Sequence, residues 1–275
     1  MNKWERGWRH RLRVAAIILI AVAFAFPIYW LAAISVKSPE EVFAYPPVWI
    51  PADPQFSSYS ILFRDGDVIS IWNSLVAATC STILAMVFGS AAAYSIVRHK
   101  TGGENLTTWI ISQRMVPPIT IAFPMFLLFT TWRLVDTHIG LIILYTAFNL
   151  PYVIWMMRGY IQEVPIELEQ SALVDGLSRW QVLHKVVFPM IKGGLFATAV
   201  FTFLFAWNEF LFALILTRSD VVTYPVQVTG YFGSQATFWS KIGAMSMLGL
   251  IPIAIVVGTM QRFIVRGISM GAVKG

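Results

Sequence analysis

Pro165-Ile166-Glu167-Leu168-Glu169-Gln170-Ser171-Ala172-Leu173-Val174-Asp175-Gly176-Leu177-Ser178-Arg179-Trp180-Gln181 is the stretch that organises this chain. Pro165 suits the first helical position, where its missing N–H costs nothing. Glu167 and Glu169 follow on the favourable side of the helix dipole. Gly176 can take the left-handed conformation that closes a helix. Ser178 and Gln181 have the spacing of a capping box. Behind them Trp180, Leu183, Val187 and Met190 recur at three-to-four spacing, an apolar stripe on a second helix. The stretch predicts helix, glycine turn, helix. Each arm is about 10 residues or roughly 15 Å, too short to cross a bilayer.

What flanks it is different in kind. Six apolar runs cover about residues 14–36, 69–97, 106–131, 139–157, 193–217 and 242–264, each near the length a helix needs to span a membrane. The chain has 275 residues, 57% hydrophobic and 12% charged, against about 45–50% and 25% in a soluble domain. That balance excludes a soluble enzyme, a nucleic-acid-binding domain and a disordered chain. The expectation is an all-α integral membrane protein, one transmembrane domain over residues 1–275, with six transmembrane helices. The helix-turn-helix lies in the 158–192 loop between spans four and five. The first run exceeds the roughly 7–15 residues of a signal-peptide core and carries Tyr29 and Trp30 toward its far end, so it reads as an uncleaved anchor.

Charge gives the direction. With a cytoplasmic N-terminus, 14 of the 20 Lys and Arg fall in cytoplasmic segments and five in outer ones, with Arg114 inside the third span. This positive-inside bias places both termini in the cytoplasm and accounts for the net charge of +6 without a nucleic-acid partner. Residues 37–68 hold Pro39, Pro46, Pro47, Pro51 and Pro54 and read as an extended outer loop. Gly89-Ser90-Ala91-Ala92-Ala93 reads as a close helix–helix contact. The single cysteine, Cys80, allows no internal disulfide.

Polar groups at membrane depth are candidates for a translocation path. At 1.5 Å per residue Arg114 sits about 12 Å in from the cytoplasmic side and Glu209 about 24 Å, too far apart for a direct ion pair. Arg114 either snorkels inward or faces the path. Asn208 and Glu209 either line the path or gate, or hydrogen-bond between helices. Trp155, Trp207 and Asn149 could offer aromatic faces and hydrogen bonds to a polyol-like solute, although an interfacial belt explains most tryptophans. No phosphate-binding loop and no H-E-x-x-H occurs, and His10, His99, His138 and His184 are scattered, so no cofactor, metal or catalytic group is expected in this chain.

Glu169-Gln170-Ser171-Ala172, Asp175-Gly176, Val186 and Phe188-Pro189 resemble the EAA loop of permease subunits of binding-protein-dependent ABC importers. Gln170 stands where that pattern has Glu and Ser171 where it has the first Ala, while Ala172 is kept. The likeness extends to the maltose-type carbohydrate group through Asn73-Ser74-Leu75, Ala92-Ala93-Tyr94, Pro117 and Pro124, and Pro151-Tyr152. It continues through Ala206-Trp207-Asn208-Glu209-Phe210-Leu211 and the terminal Gly271-Ala272-Val273-Lys274-Gly275. The resemblance implies the type I importer fold in the inner membrane, uptake of a carbohydrate or polyol, and a second permease chain. It also implies two cytosolic ATPases carrying ATP and Mg, and an external or periplasmic solute-binding protein. Glu167, Glu169, Gln170, Ser171, Ala172, Asp175, Gly176 and Pro189 would then couple to the ATPases, with Glu167, Glu169 and Asp175 supplying negative charge. A secondary transporter or channel working without an ATPase is the competing expectation, although the half-to-half symmetry such proteins often show is not visible here.

Overall fold

The computed structural model describes residues 3–232 and 236–271, and every element among them is helical. Ala272-Val273-Lys274-Gly275, part of the terminal motif above, lies outside the described residues. Two compact units are present, one from Met1–Val68 with Val228–Ile251, the other from Ile69–Gln227 with Pro252–Gly275.

In the first unit α1 (Lys3–Val36) carries the first apolar run. The proline-rich segment after it is not uniformly extended, as expected from its composition, but holds two short helices, α2 (Pro39–Val42) and α3 (Ser57–Arg64). Ser38 supplies the reason for α2: its hydroxyl accepts from Glu41 N–H while Glu41 answers to Ser38 N–H, a capping box. The same Glu41 accepts from Ala52 N–H at 2.9 Å, and the Tyr59 hydroxyl donates to Ser35 Oγ at 2.9 Å, which folds the segment back onto α1.

The second unit is built on two long helices, α4 (Ile69–His99) and α7 (His138–Gln162). They meet at Gly89, where a Cβ would lie 2.6 Å from Val153 Cγ1, so the small residue sets the approach. Between them the third span is broken. A helix α5 (Gly103–Ser112) and a 3₁₀ turn (Gln113–Met115) precede α6 (Pro118–Thr131), and the two arms meet at 90°. The cause is Val116-Pro117-Pro118. A residue before proline is pushed out of the helical region, and here two in a row are extended, Val116 at ψ 122° and Pro117 at ψ 127°. Single prolines at Pro27, Pro124, Pro151 and Pro252 leave their helices continuous.

After α7 come α8 (Ile166–Val174), α9 (Arg179–Val182), a π-helical turn (Leu183–Val187) and α10 (Phe188–Met190). The chain then turns by 87° into α11 (Lys192–Trp207), followed by α12 (Leu211–Leu216), α13 (Tyr224–Thr229) and α14 (Ala236–Gly271). The fifth span is therefore also interrupted, at residues 208–210. Among the described residues four helices are long and apolar enough to cross a membrane, and the count reaches up to six if each bent pair is one span. One apolar cluster of this unit gathers Tyr145, Phe203, Trp207 and Phe212, and a second gathers Val153, Met157, Val182 and Val187.

Candidate functional site

The 165–181 stretch folds as its residues dictate. Pro165 stands one position earlier than expected, at the N-cap of α8. Gly176 takes φ +88°, and its N–H donates to Leu173 O while Leu177 N–H donates to Ala172 O, both at 3.1 Å. This is the two-bond closure that satisfies the last carbonyls of a helix. Ser178 and Gln181 form the capping box, with Gln181 Oε1 accepting from Ser178 N–H at 2.8 Å. The second arm departs from the expected stripe. The π turn shifts the register, so Val182, Leu183 and Val187 are buried while Trp180 and Met190 face outward. Trp180 instead stacks edge-on against His184, with ring centroids 4.2 Å apart.

What holds this stretch in place is a charge cluster. Glu169 is 3% exposed. Its Oε2 accepts from the Tyr94 hydroxyl at 2.8 Å and its Oε1 from Arg98 Nε at 2.7 Å, with Arg98 Nη2 2.6 Å away. Arg98 Nη2 also donates to the carbonyls of Ile161 at 2.9 Å and Val164 at 2.8 Å. One guanidinium thus ties the end of α4, the end of α7 and α8 together, with its donors and the carboxylate oxygens both engaged.

The consequence is a division of the loop into two faces. Glu169 belongs to the inner one, so it does not add negative charge to the outer surface as the sequence suggested. Ala172 is half-buried against the same core. Glu167, Gln170, Ser171, Asp175, Gly176 and Pro189 are exposed. Val174, at the tip beside the glycine turn, is 87% exposed, and Leu173 is exposed with it. Neither Arg98, counted only as a topological charge, nor Val174 was singled out from sequence. Tyr94 and Arg98 one turn apart, at the end of a span and facing an acidic loop helix, are the signal that was present.

The other candidates separate. Asn208 and Glu209 bracket the break in the fifth span. Asn208 Nδ2 donates back to Leu204 O at 2.8 Å, serving the end of α11, and Glu209 Oε1 accepts from Phe212 N–H at 2.9 Å, capping α12. Trp207 is fully buried, stacked between Phe203 and Tyr224 at centroid distances of 5.8 and 5.6 Å. Asn149 is buried on α7, and Trp155 is half-exposed and lines a hollow with Arg158 and Glu163. Arg114 sits in the 3₁₀ turn of the broken third span, over the rings of Tyr152 and Phe205 at 5.5 and 4.9 Å. No ion pair among the described residues joins it to Glu209.

Away from these, Asp136 gathers the turn before α7. Its carboxylate accepts four backbone N–H groups, from Arg218, Ser219 and Asp220 at 3.0 Å and from Val221 at 3.1 Å. Burial would raise this carboxyl, but the four N–H groups outweigh it and bring it down to about 2.

Comparison with known proteins places this architecture. Residues 85–270 match the family described as binding-protein-dependent transport system inner membrane component. A probable ABC transporter permease protein of Sinorhizobium fredii is 36% identical over 257 residues, 93% of this chain and 92% of that one. A trehalose transport system permease protein of Mycobacterium tuberculosis is 33% identical, over 98% of this chain and all of the relative. Among solved structures, a bacterial ABC transporter involved in import of the acidic polysaccharide alginate superposes with a TM-score of 0.76 at 22% identity, covering 95% of this chain and 98% of that chain.

Proposed function

Because the chain belongs to the family of binding-protein-dependent transport system inner membrane components, we propose that it is the permease subunit of an ATP-driven importer whose cargo is a carbohydrate or polyol. The membership makes it a multi-pass membrane protein and a transport subunit of an ABC importer. The cargo class is supported by the trehalose-transporting relative. The finer reading of its partners is a second permease chain, two cytosolic ATPases that bind ATP and Mg, and an external solute-binding protein, with both termini in the cytoplasm.

The observation that carries the coupling role is the two-faced loop. Its inner face is locked to α4 and α7 through Glu169 and Arg98, and its outer face offers Glu167, Gln170, Val174 and Asp175 around a rigid turn. A lever needs both properties. An ATPase that grips the turn moves α7 and α11 with it, because α8 is fastened to the end of α7 and α10 leads into α11. The complex, purified through a tag on this chain and reconstituted, tests this with Gly176→Asp. At φ +88° a side chain is strained even though open space surrounds the position. The expected result is loss of solute-stimulated ATP hydrolysis, of ATPase co-elution, or of both. Unchanged coupling and unchanged co-elution would contradict the assignment.

A further inference from the structure

We propose that the cavity beneath the break in the third span recognises an oxyanion group carried by the solute, with Arg114 as the residue that pairs with it. The inference deepens, and rests on, the reading of the chain as a transport permease. The cavity, of about 250 Å³, is lined among others by Gln113, Arg114, Ile121, Met125, Phe148 and Pro151. Arg114 Nη1 is buried and has no hydrogen-bond partner among the described residues. None of the three ion pairs there involves it. Its guanidinium carbon lies over the rings of Tyr152 and Phe205, at 5.5 and 4.9 Å.

That situation is costly and chemically pointed. A guanidinium does not give up its proton in a protein, so the charge persists at membrane depth and calls for a counter-charge. The Tyr152 and Phe205 rings, 5.1 Å apart and edge-to-face, flank the guanidinium, while its buried Nη1 makes no hydrogen bond among the described residues, which leaves donor capacity for a carboxylate, sulfonate or phosphate. The break brings two helix ends together: Arg114 stands in the last turn of the first arm, at its negative end, and α6 starts at Pro118 with the positive end of its dipole at the same interruption. Interrupted membrane helices present their N-terminal ends to anionic groups in this way. The rest of the lining suits a sugar ring, with the Gln113 amide for hydroxyl groups and the Phe148 ring for its apolar face. An acidic sugar, or a sulfonated or phosphorylated one, shares the chemistry these groups ask for.

The test uses the intact complex purified through a tag on this chain, with D-glucuronate, D-glucose and inorganic sulfate as probes. Glucuronate and glucose differ at a carboxylate against a hydroxymethyl group. The wild-type complex should bind glucuronate about 10- to 100-fold more tightly than glucose, the range expected for a charge-assisted hydrogen bond. Arg114→Gln should abolish that preference, Arg114→Lys should keep part of it, and sulfate should compete with glucuronate in the wild type but not in Arg114→Gln. Both variants must elute as monodisperse complexes for the comparison, and the lysine variant serves if the glutamine variant does not assemble. Equal binding of the two sugars by the wild type, or a preference that survives Arg114→Gln, overturns the inference. ATPase co-elution is followed in the same preparations. Its presence without discrimination overturns only the oxyanion site, whereas its absence from the wild type overturns the transporter reading.

Discussion

A single guanidinium decides how the 165–181 loop is mounted. Arg98 is 11% exposed and Glu169 4% on their side chains, so neither can fall back on water if its partner is removed. Arg98→Ala leaves a buried carboxylate and two carbonyls without their donor, and should destabilise the folded chain by about 3–5 kcal/mol, the usual consequence of breaking a buried pair. Thermal unfolding in detergent measures it. Replacing both members at once, Arg98→Met with Glu169→Leu, should recover only the share of that loss due to the uncompensated carboxylate, since the Ile161 and Val164 carbonyls and the Tyr94 hydroxyl still lack their partners. Lost stability in the single variant together with lost ATPase co-elution would tie the brace to the lever. Asp136 acts at the same scale in the turn before α7. Its carboxyl is held at about 2, below the ordinary value of 3.8. Its contribution is therefore complete above about pH 4 and is lost as the pH falls toward 2. After allowance for solvent screening it amounts to about 1–2 kcal/mol. Asp136→Asn should lower the melting temperature at pH 6 and flatten its dependence between pH 4 and 2. A variant with the wild-type pH profile would remove Asp136 from this role.

At the scale of elements, the chain separates proline patterns that look alike in composition. Four helices carry a lone internal proline and stay continuous, whereas the adjacent pair Pro117-Pro118 turns the third span by 90°. This break was legible: two residues in succession precede a proline, and each is barred from the helical region. Reading the prolines as one family pattern within a single span concealed it. The break at residues 208–210 was not legible in the same way, because no proline or glycine marks it. There the polar side chains themselves replace the missing backbone bonds, and Asn208 and Glu209 in an apolar run read equally as path, gate or helix–helix contact. The π turn at Leu183–Val187 escaped for a related reason, since its residues fit an ordinary helical stripe and only packing displaces Trp180. By contrast the glycine turn, the capping box and the close approach at Gly89 followed directly from residue type. Gly89→Leu should cost about 1–3 kcal/mol by overpacking α4 against α7. Val153→Ala in the same chain should restore part of that loss, as seen in detergent melts. Additive losses would show that the two positions do not share the contact.

At the scale of the molecule, the scarce charge carries most of the information. The apolar runs place the chain in a membrane, the distribution of Lys and Arg proposes its direction, and the charged residues near the 165–181 stretch brace and decorate its lever. A permease of this family is a transport subunit, so its function is to be read both in its path and in what it offers to partners. The apolar tip at Val174 is the point at which the coupling proposal becomes most specific. Cys80 is the single cysteine of the chain, so a Cys80→Ser background carrying Val174→Cys presents one thiol at the turn. Treating the native complex with a bifunctional maleimide and identifying the cross-linked species by mass is the most direct measurement. The account predicts an adduct with an ATP-binding subunit, at a yield that changes when ATP is added. A chain that takes up solute in liposomes on its own, with no such adduct formed in the complex, would contradict it.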